Sequence, residues 1–193
     1  TAKDNAGNNA YCNQTVIVVD DQLPTIDCPP DVVVNTNSGC TSINVNLGTP
    51  VTSDNCGIES VTNDKPAAFP LGTTVVTWTV TDPSGNTATC QQNVTVEDHT
   101  LPNIVCPPDI TVNTDTGCDA TSPDIGTATA TDNCGIADIY NDAPATFPIG
   151  ITIVTWTAED NSGNIATCEQ EVTVEDNIDP TITCPADIAV DSD

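Results

Sequence analysis

The 193-residue chain carries 28 acidic residues against 2 basic ones and a single histidine, a formal charge of −26. With Lys3 and Lys65 as its basic residues it has almost nothing to neutralise phosphates, which excludes nucleic-acid binding and attraction to anionic membrane surfaces. Its 37% apolar content, set in alternating Val, Ile and Thr runs, argues against a disordered acidic tail, and no apolar run is long enough to insert into a bilayer.

The cysteines recur with one period, since 90 − 12 = 78 and 106 − 28 = 78. Cys12 returns as Cys90 and Cys168, Cys28 as Cys106 and Cys184, Cys40 as Cys118, and Cys56 as Cys134. Residues 24–98 align without a gap on 102–176 with 43 identities in 75 positions, so the chain reads as a tandem array. In chain order, residues 1–20 match the end of a repeat, 21–98 and 99–176 are whole repeats, and 177–193 match the start of another. A segment of a longer array is the expectation. Pro24, Pro102 and Pro180 follow the boundaries and predict short, stiff linkers.

Within the first whole repeat every strong signal is for strand. Short runs are expected at 31–35, at 42–47 up to Gly48, and at 58–62. Two long alternating strands follow at 73–81 and 87–97, with Trp78 inside the first. Turn residues separate them, among them Asp54-Asn55-Cys56-Gly57 and Pro83-Ser84-Gly85-Asn86. About seven short strands in such a unit predict an all-β, two-sheet sandwich. Trp78 and Trp156 sit in alternating strands and are read as core rather than ligand platforms.

Each repeat has four cysteines and a small core, which predicts disulfide staples and an oxidising compartment. No two cysteines lie closer than 12 residues, unlike the spacing of zinc sites. Four cysteines allow three connectivities. Parallel first and last strands would bring Cys28 to Cys90 and Cys106 to Cys168. A chain reversal at Gly48, and at Gly126, would bring Cys40 to Cys56 and Cys118 to Cys134. Cys12 and Cys184 are then left for partners outside the segment.

The residues Pro-x-Ile-x-Cys-Pro-x-Asp at 24–31, Asp-Asn-Cys-Gly at 54–57, Phe-Pro-x-Gly at 69–72 and Thr-Trp-Thr-x-x-Asp-x-Ser-Gly-Asn-x-Ala-Thr-Cys at 77–90 resemble the hyalin repeat family. They recur at 102–109, 132–135, 147–150 and 155–168, so the resemblance covers nearly the whole chain. It implies tandem immunoglobulin-like β-sandwich domains, extracellular or on the cell surface, used in adhesion and without catalytic residues. The cysteine-rich, acidic form looks like that of bacterial surface proteins.

Acidic groups are expected to gather at the repeat boundaries. Asp20, Asp21, Asp54, Asn55, Asp82 and Asn86 form one candidate metal set; Glu97, Asp98, Asp132, Asn133, Asp160 and Asn164 form its equivalent. Calcium asks for about six to eight hard oxygens at roughly 2.3–2.6 Å, and such groups supply them. Unneutralised carboxylates within a Debye length of about 8 Å would repel. The same residues are also ordinary turn formers, and Asp-x-Ser-Gly-Asn is a good hairpin turn without any metal.

No acid/base or nucleophile set is evident, and His99 is isolated in sequence, so the chain reads as non-enzymatic. The sequons at Asn13 and Asn93 occupy non-equivalent strand positions. The expected function is an extracellular stalk or filament of rigid repeats stiffened by calcium at the domain junctions. Its partners are further repeats of the same chain or other copies of it. The alternative is an adhesive module that recognises glycans or surfaces through the repeats themselves.

Overall fold

The computed structural model describes residues 1–115 and 117–189, so residues 190–193 of the segment expected at 177–193 lie outside the described residues. The chain divides into two compact units, Thr1–Glu97 and Asp98–Asp193.

The first unit opens with a small hairpin of β1 (Ala2–Lys3) and β2 (Asn9–Ala10). Its sandwich is built from β3 (Thr25–Asp27), β4 (Val32–Asn35), β5 (Thr41–Ile43), β6 (Val51–Ser53), β7 (Ser60–Asn63), β8 (Ala68–Pro70), β9 (Gly72–Thr81) and β10 (Thr87–Glu97). The long alternating strands β9 and β10 pair antiparallel from Thr81↔Thr87 to Gly72↔Val96. Alternation sends Val76, Trp78 and Val80 to one face of β9 and leaves Thr73 and Val75 exposed. Strand β4 adds parallel to β10 and β7 adds antiparallel to β9, giving the order β4-β10-β9-β7. Two ribbons, β3–β6 and β5–β8, complete the unit. The core joins Val45, Leu47, Phe69, Val76, Trp78, Val94 and Val96, with Ile26 and the Cys28–Cys90 disulfide packed against it.

One inward position is polar. Gln92 is solvent-inaccessible; its Oε1 accepts from Trp78 Nε1 at 3.0 Å, and its Nε2 donates to the carbonyls of Pro30 at 2.6 Å and Leu47 at 3.0 Å. A buried amide is tolerated when its polar atoms are paired in this way. It ties the two long strands to the chain that crosses over them.

The second unit repeats the plan with β11 (Asn103–Val105), β12 (Ile110–Asn113), β13 (Asp119–Thr121), β14 (Thr129–Thr131), β15 (Ile136–Asn141), β16 (Thr146–Pro148), β17 (Gly150–Asp160) and β18 (Ile165–Glu175). Its sheet order is β12-β18-β17-β15, and Gln170 repeats the buried bridge to Trp156 and to the carbonyls of Pro108 and Ile125. Strand β15 is longer than β7 and carries an irregularity between Ile136 and Asp138. Both units are tandem β-sandwiches of the all-β class, as the strand pattern led one to expect.

Two expectations are corrected. The run 42–47 is not one strand: β5 ends at Ile43, and Asn44 adopts a left-handed φ of 57°. The Asn37 amide captures both the N–H of Ile43 at 2.8 Å and its carbonyl at 3.0 Å, replacing ladder partners. Val45 and Leu47 are buried all the same. The second correction concerns the cysteines. Cys28–Cys90 and Cys106–Cys168 are bonded, each across 62 residues. Cys40 with Cys56, and Cys118 with Cys134, are not: Cys56 and Cys118 are free, exposed thiols.

The reason for the cysteine correction is topological. Thr36 N–H donates to the carbonyl of Glu97, so the 36–41 loop and Cys40 lie where β10 ends. Strand β6 pairs with β3, near the other pole, which puts Cys56 there. The chain from 41 to 53 travels between the poles instead of folding back. Gly48, at φ 76° and pressed toward the Pro29 ring, bends this path without reversing it.

Candidate cation-binding pole

In each unit the pole at which its chain enters the sandwich gathers carboxylates, and turn chemistry fixes them. The tip of the β9–β10 hairpin is built on Asp82. Its Oδ1 accepts from the N–H groups of Ser84 at 2.9 Å and Asn86 at 2.8 Å, and its Oδ2 accepts from Asn86 Nδ2 at 2.8 Å. Asp82 is solvent-inaccessible. Desolvation, the largest influence, pushes its carboxyl up, but the bonds from Asn86, Ser84 and Gly85 outweigh it and hold it below the usual carboxylate value. Asp160 repeats this with Ser162 and Asn164, and is likewise held low. These two carboxylates are structural anchors of the hairpin.

The amide of Asn86 also donates to the Asp20 carbonyl at 3.1 Å, which docks the incoming chain on the hairpin tip. Asp20 Oδ1 accepts from Gln22 N–H at 3.1 Å, while its Oδ2 is buried without a hydrogen-bond partner. The neighbouring 54–57 turn is closed by Asp54, whose Oδ2 accepts from Cys56 N–H at 2.7 Å. The Asn55 amide oxygen faces both Asp54 carboxylate oxygens at 3.3 Å, acceptor against acceptor. Rotating the amide turns both contacts into hydrogen bonds. Asp20, Asp54 and Cys56 present one ligand atom each, all within 4.8 Å of one another.

The second unit repeats the cluster with Asp98, Asp132 and Cys134. Asp98 is buried, accepting from Thr100 N–H and Asn133 Nδ2 at 3.2 Å and from the Ser162 hydroxyl at 3.3 Å. Asn164 donates to its carbonyl at 3.1 Å. Asp132 Oδ1 accepts from Cys134 N–H at 2.7 Å, and its Oδ2 is buried without a hydrogen-bond partner.

The sulfurs are poor partners for a hard cation. The Cys56 thiol is pushed up by the neighbouring Asp20 carboxylate, by desolvation and by repulsion from Asp54 and Asp82, which disfavours its thiolate. Cys134 is disulfide-bonded. The oxygens of Asp20, Asp54 and Asn55, with those of Asp98, Asp132 and Asn133, are therefore the donors that suit a hard cation. Of the other expected members, Asp21 is exposed beside Asp20. Glu97, expected with the Asp98 set, ends β10, where its carbonyl accepts from Thr36 N–H. Ser162, absent from the sequence expectation, is brought in by the hairpin tip.

Disulfides form and persist in oxidising compartments, and the protein is extracellular or cell-surface. No helix among the described residues is long and apolar enough to cross a membrane.

Compared with known proteins, residues 19–96 and 97–174 each match the HYR domain. Hyalin of Strongylocentrotus purpuratus is 34% identical over 202 residues, covering 97% of this chain and 17% of its own length. Hyalin of Lytechinus variegatus is 35% identical over 184 residues, covering 89% of this chain and 35% of its own length. The chain thus spans about a third or less of the curated relatives it matches. A rat protein with sushi, von Willebrand factor type A, EGF and pentraxin domains is 32% identical over 174 residues, covering 84% of this chain and 5% of its own. Among solved structures, Drosophila N-cadherin EC1-4 aligns at a TM-score of 0.41 and 12% identity, covering 80% of this chain and 50% of that one. These relatives are animal proteins, so the bacterial subtype expected from the sequence gains no support. With two full matches spanning most of its length, the chain belongs to the HYR domain family.

Proposed function

We propose that this segment is a non-enzymatic structural element of an extracellular adhesive array, and that each repeat carries a Ca²⁺ ion at the pole where its chain enters. Asp20, Asp54 and Asn55 hold the ion in the first unit, and Asp98, Asp132 and Asn133 in the second. The observation that carries this reading is a buried carboxylate oxygen with no hydrogen-bond partner in both clusters, Asp20 Oδ2 and Asp132 Oδ2. Such an atom costs free energy unless a cation or proton meets it. The ion would link the incoming chain to the 54–57 or 132–135 turn and stiffen each repeat, as a stalk or filament needs.

Calorimetric titration with Ca²⁺, paired with melting curves in Ca²⁺ and in chelator, tests the proposal. Binding to the folded state alone at a hundred times Kd stabilises by about 2.7 kcal/mol. Asp54→Asn and Asp132→Asn each remove one of the two binding events. Superimposable melting curves with and without Ca²⁺ would sink the calcium reading while leaving the structural role standing.

A further inference from the structure

Half of strand β17 in the second unit is an open sheet edge. Strand β15 pairs with β17 only from Asp160 to Trp156. Asp142 closes that pairing: its N–H donates to the carbonyl of Thr155 at 3.2 Å, and its Oδ1 accepts from Thr155 N–H at 2.7 Å. Backbone groups of an antiparallel strand bond to alternate sides. Those of Thr155 point away from β18, so those of Ile153 and Ile151 do too, and among the described residues neither meets a backbone partner there. Their side chains are 49% and 64% exposed, respectively. Across from Ile153 and Thr155, on the same face, β18 places Glu171 and Glu169. The first unit has the equivalent edge at Thr73 and Val75, ended by Asp64 on Thr77. There the matching positions are uncharged: Thr73, Val75, Gln91 and Asn93 stand where the second unit has Ile151, Ile153, Glu169 and Glu171. The two units agree at 43 of 75 positions, yet these four neighbours all differ, and they change together into an apolar pair beside an acidic pair.

We propose that the β17 edge at 150–154 takes up an extended segment of a partner protein in which lysine or arginine alternates with apolar residues. The segment adds as a strand, its backbone bonding the open N–H and carbonyl groups of Ile151 and Ile153. Its outward basic side chains lay their stems over the two isoleucines and carry their charges to Glu169 and Glu171. Charge fixes the class of partner. A strand of this chain's own composition, with 28 acidic residues against 2 basic ones, would bring more carboxylates to an edge that already faces them. Like charges on neighbouring strands repel, so the occupant is a basic segment of a different protein. This surface goes beyond the structural role and the cation-binding poles, and neither of them depends on it.

The probe is the peptide acetyl-Val-Lys-Val-Lys-Val-Lys-Val-amide, titrated into the full 193-residue chain at low salt and followed by NMR. Amide hydrogen exchange should slow at Ile151 and Ile153 and stay unchanged at Thr73 and Val75. The same peptide N-methylated at alternate residues cannot bond the edge and should leave all four amides unchanged. Two variants carry residues that the first unit already holds at these positions, so the sandwich accommodates them. Glu169→Gln/Glu171→Asn should weaken binding about tenfold and flatten its salt dependence. Ile151→Thr/Ile153→Val should weaken binding and keep the salt dependence. Exchange that slows across the acidic surface without favouring Ile151 and Ile153 would overturn the proposal. So would an N-methylated peptide that binds as tightly as its parent, or affinities equal in the parent chain and both variants. Slowing of the Ile151 and Ile153 amides on raising protein concentration alone would assign the edge to a second copy and overturn it as well.

Discussion

Replacing Gln92 with leucine should unfold the first unit far more readily, although the change is conservative in volume and makes the core more apolar. Three hydrogen bonds disappear: the one from Trp78 Nε1, and those to the carbonyls of Pro30 and Leu47. Trp78 is 6% exposed and Gln92 is fully buried, so water does not readily replace the missing acceptor. Each buried group left unpaired costs about 1–3 kcal/mol, and the three together cost roughly 3–5 because a carbonyl keeps some other interactions. The extra apolar side chain returns about 1 kcal/mol, leaving a net loss of about 3. For a domain of this size that is a fall in Tm of about 12–24 °C. Urea and thermal unfolding followed by Trp fluorescence in a Trp156→Phe background reads the first unit through Trp78. Trp78→Phe should cost less, and the double variant should fall short of the summed losses by about 1 kcal/mol, because both changes remove the same bond. A Gln92→Leu loss within about 0.5 kcal/mol of zero would refute the view that this amide pins the crossover.

Three further outcomes follow from the same geometry. Removing the first disulfide as Cys28→Ala/Cys90→Ala, which opens a loop with a sequence separation of 62, should cost about 4 kcal/mol on the chain-entropy argument, measured by denaturant unfolding. Acid should destabilise both units. Asp82 and Asp160 are held below the ordinary carboxylate value, so their contribution is complete above the unfolded value near about 3.9 and is lost as pH falls through the lower folded value. Urea midpoints between about pH 5 and 2 should fall, and Asp82→Asn should flatten that slope for the first unit. Gly135→Ala should cost more than Gly57→Ala: both positions have φ above 90°, but a Cβ at 135 would meet Asn161 Nδ2 at 2.9 Å while one at 57 meets nothing within 4 Å. Paired melting temperatures of the two variants check this, and equal losses would point to backbone strain alone.

What could be read from the sequence was whatever repeats or alternates over many residues. Strands β9 and β10 are ten and eleven residues of regular alternation, and their boundaries differ from the expected ones by a residue at most. Strands β3, β6 and β8 are three residues each, too short for any periodic window, and they pair only because the core places them. Gly48 was legible as a special backbone position but not as a bend instead of a reversal. That distinction depends on β6 finding β3, a contact distant in sequence, and the wrong cysteine partners followed from it. Gln92 did leave a signal, being in phase with buried Val94 and Val96 and repeated as Gln170. A polar residue in a core phase reads as an edge until its partners are known. The acidic pole was visible as composition. The buried oxygens of Asp20 and Asp132 were not, since accessibility is set by the whole hairpin tip.

The acidity itself has a structural origin that composition conceals. A charge of −26 invites a reading as a solvated surface or a metal trap. Yet aspartate after aspartate accepts a backbone N–H near a turn or strand end: Asp4 from Ala6 and Asn8, Asp31 from Asn93, Asp64 from Thr77, Asp124 from Gly126, Asp142 from Thr155. A sandwich of three-residue strands leaves many N–H groups without ladder partners, and short carboxylates satisfy them at the turns. At Asp4 and Asp31 such bonds hold the carboxyl below its ordinary value, and the fold has to accommodate the carboxylates that the turns have placed. Dispersing them suffices for most of the surface. At the entry poles, where the Asp20–Asp54 and Asp98–Asp132 clusters bring carboxylates together beside a buried oxygen, dispersal is not available. A hard cation there would neutralise charge that turn chemistry has already placed, which is why the same residues serve both as turn formers and as the strongest candidates for ligands.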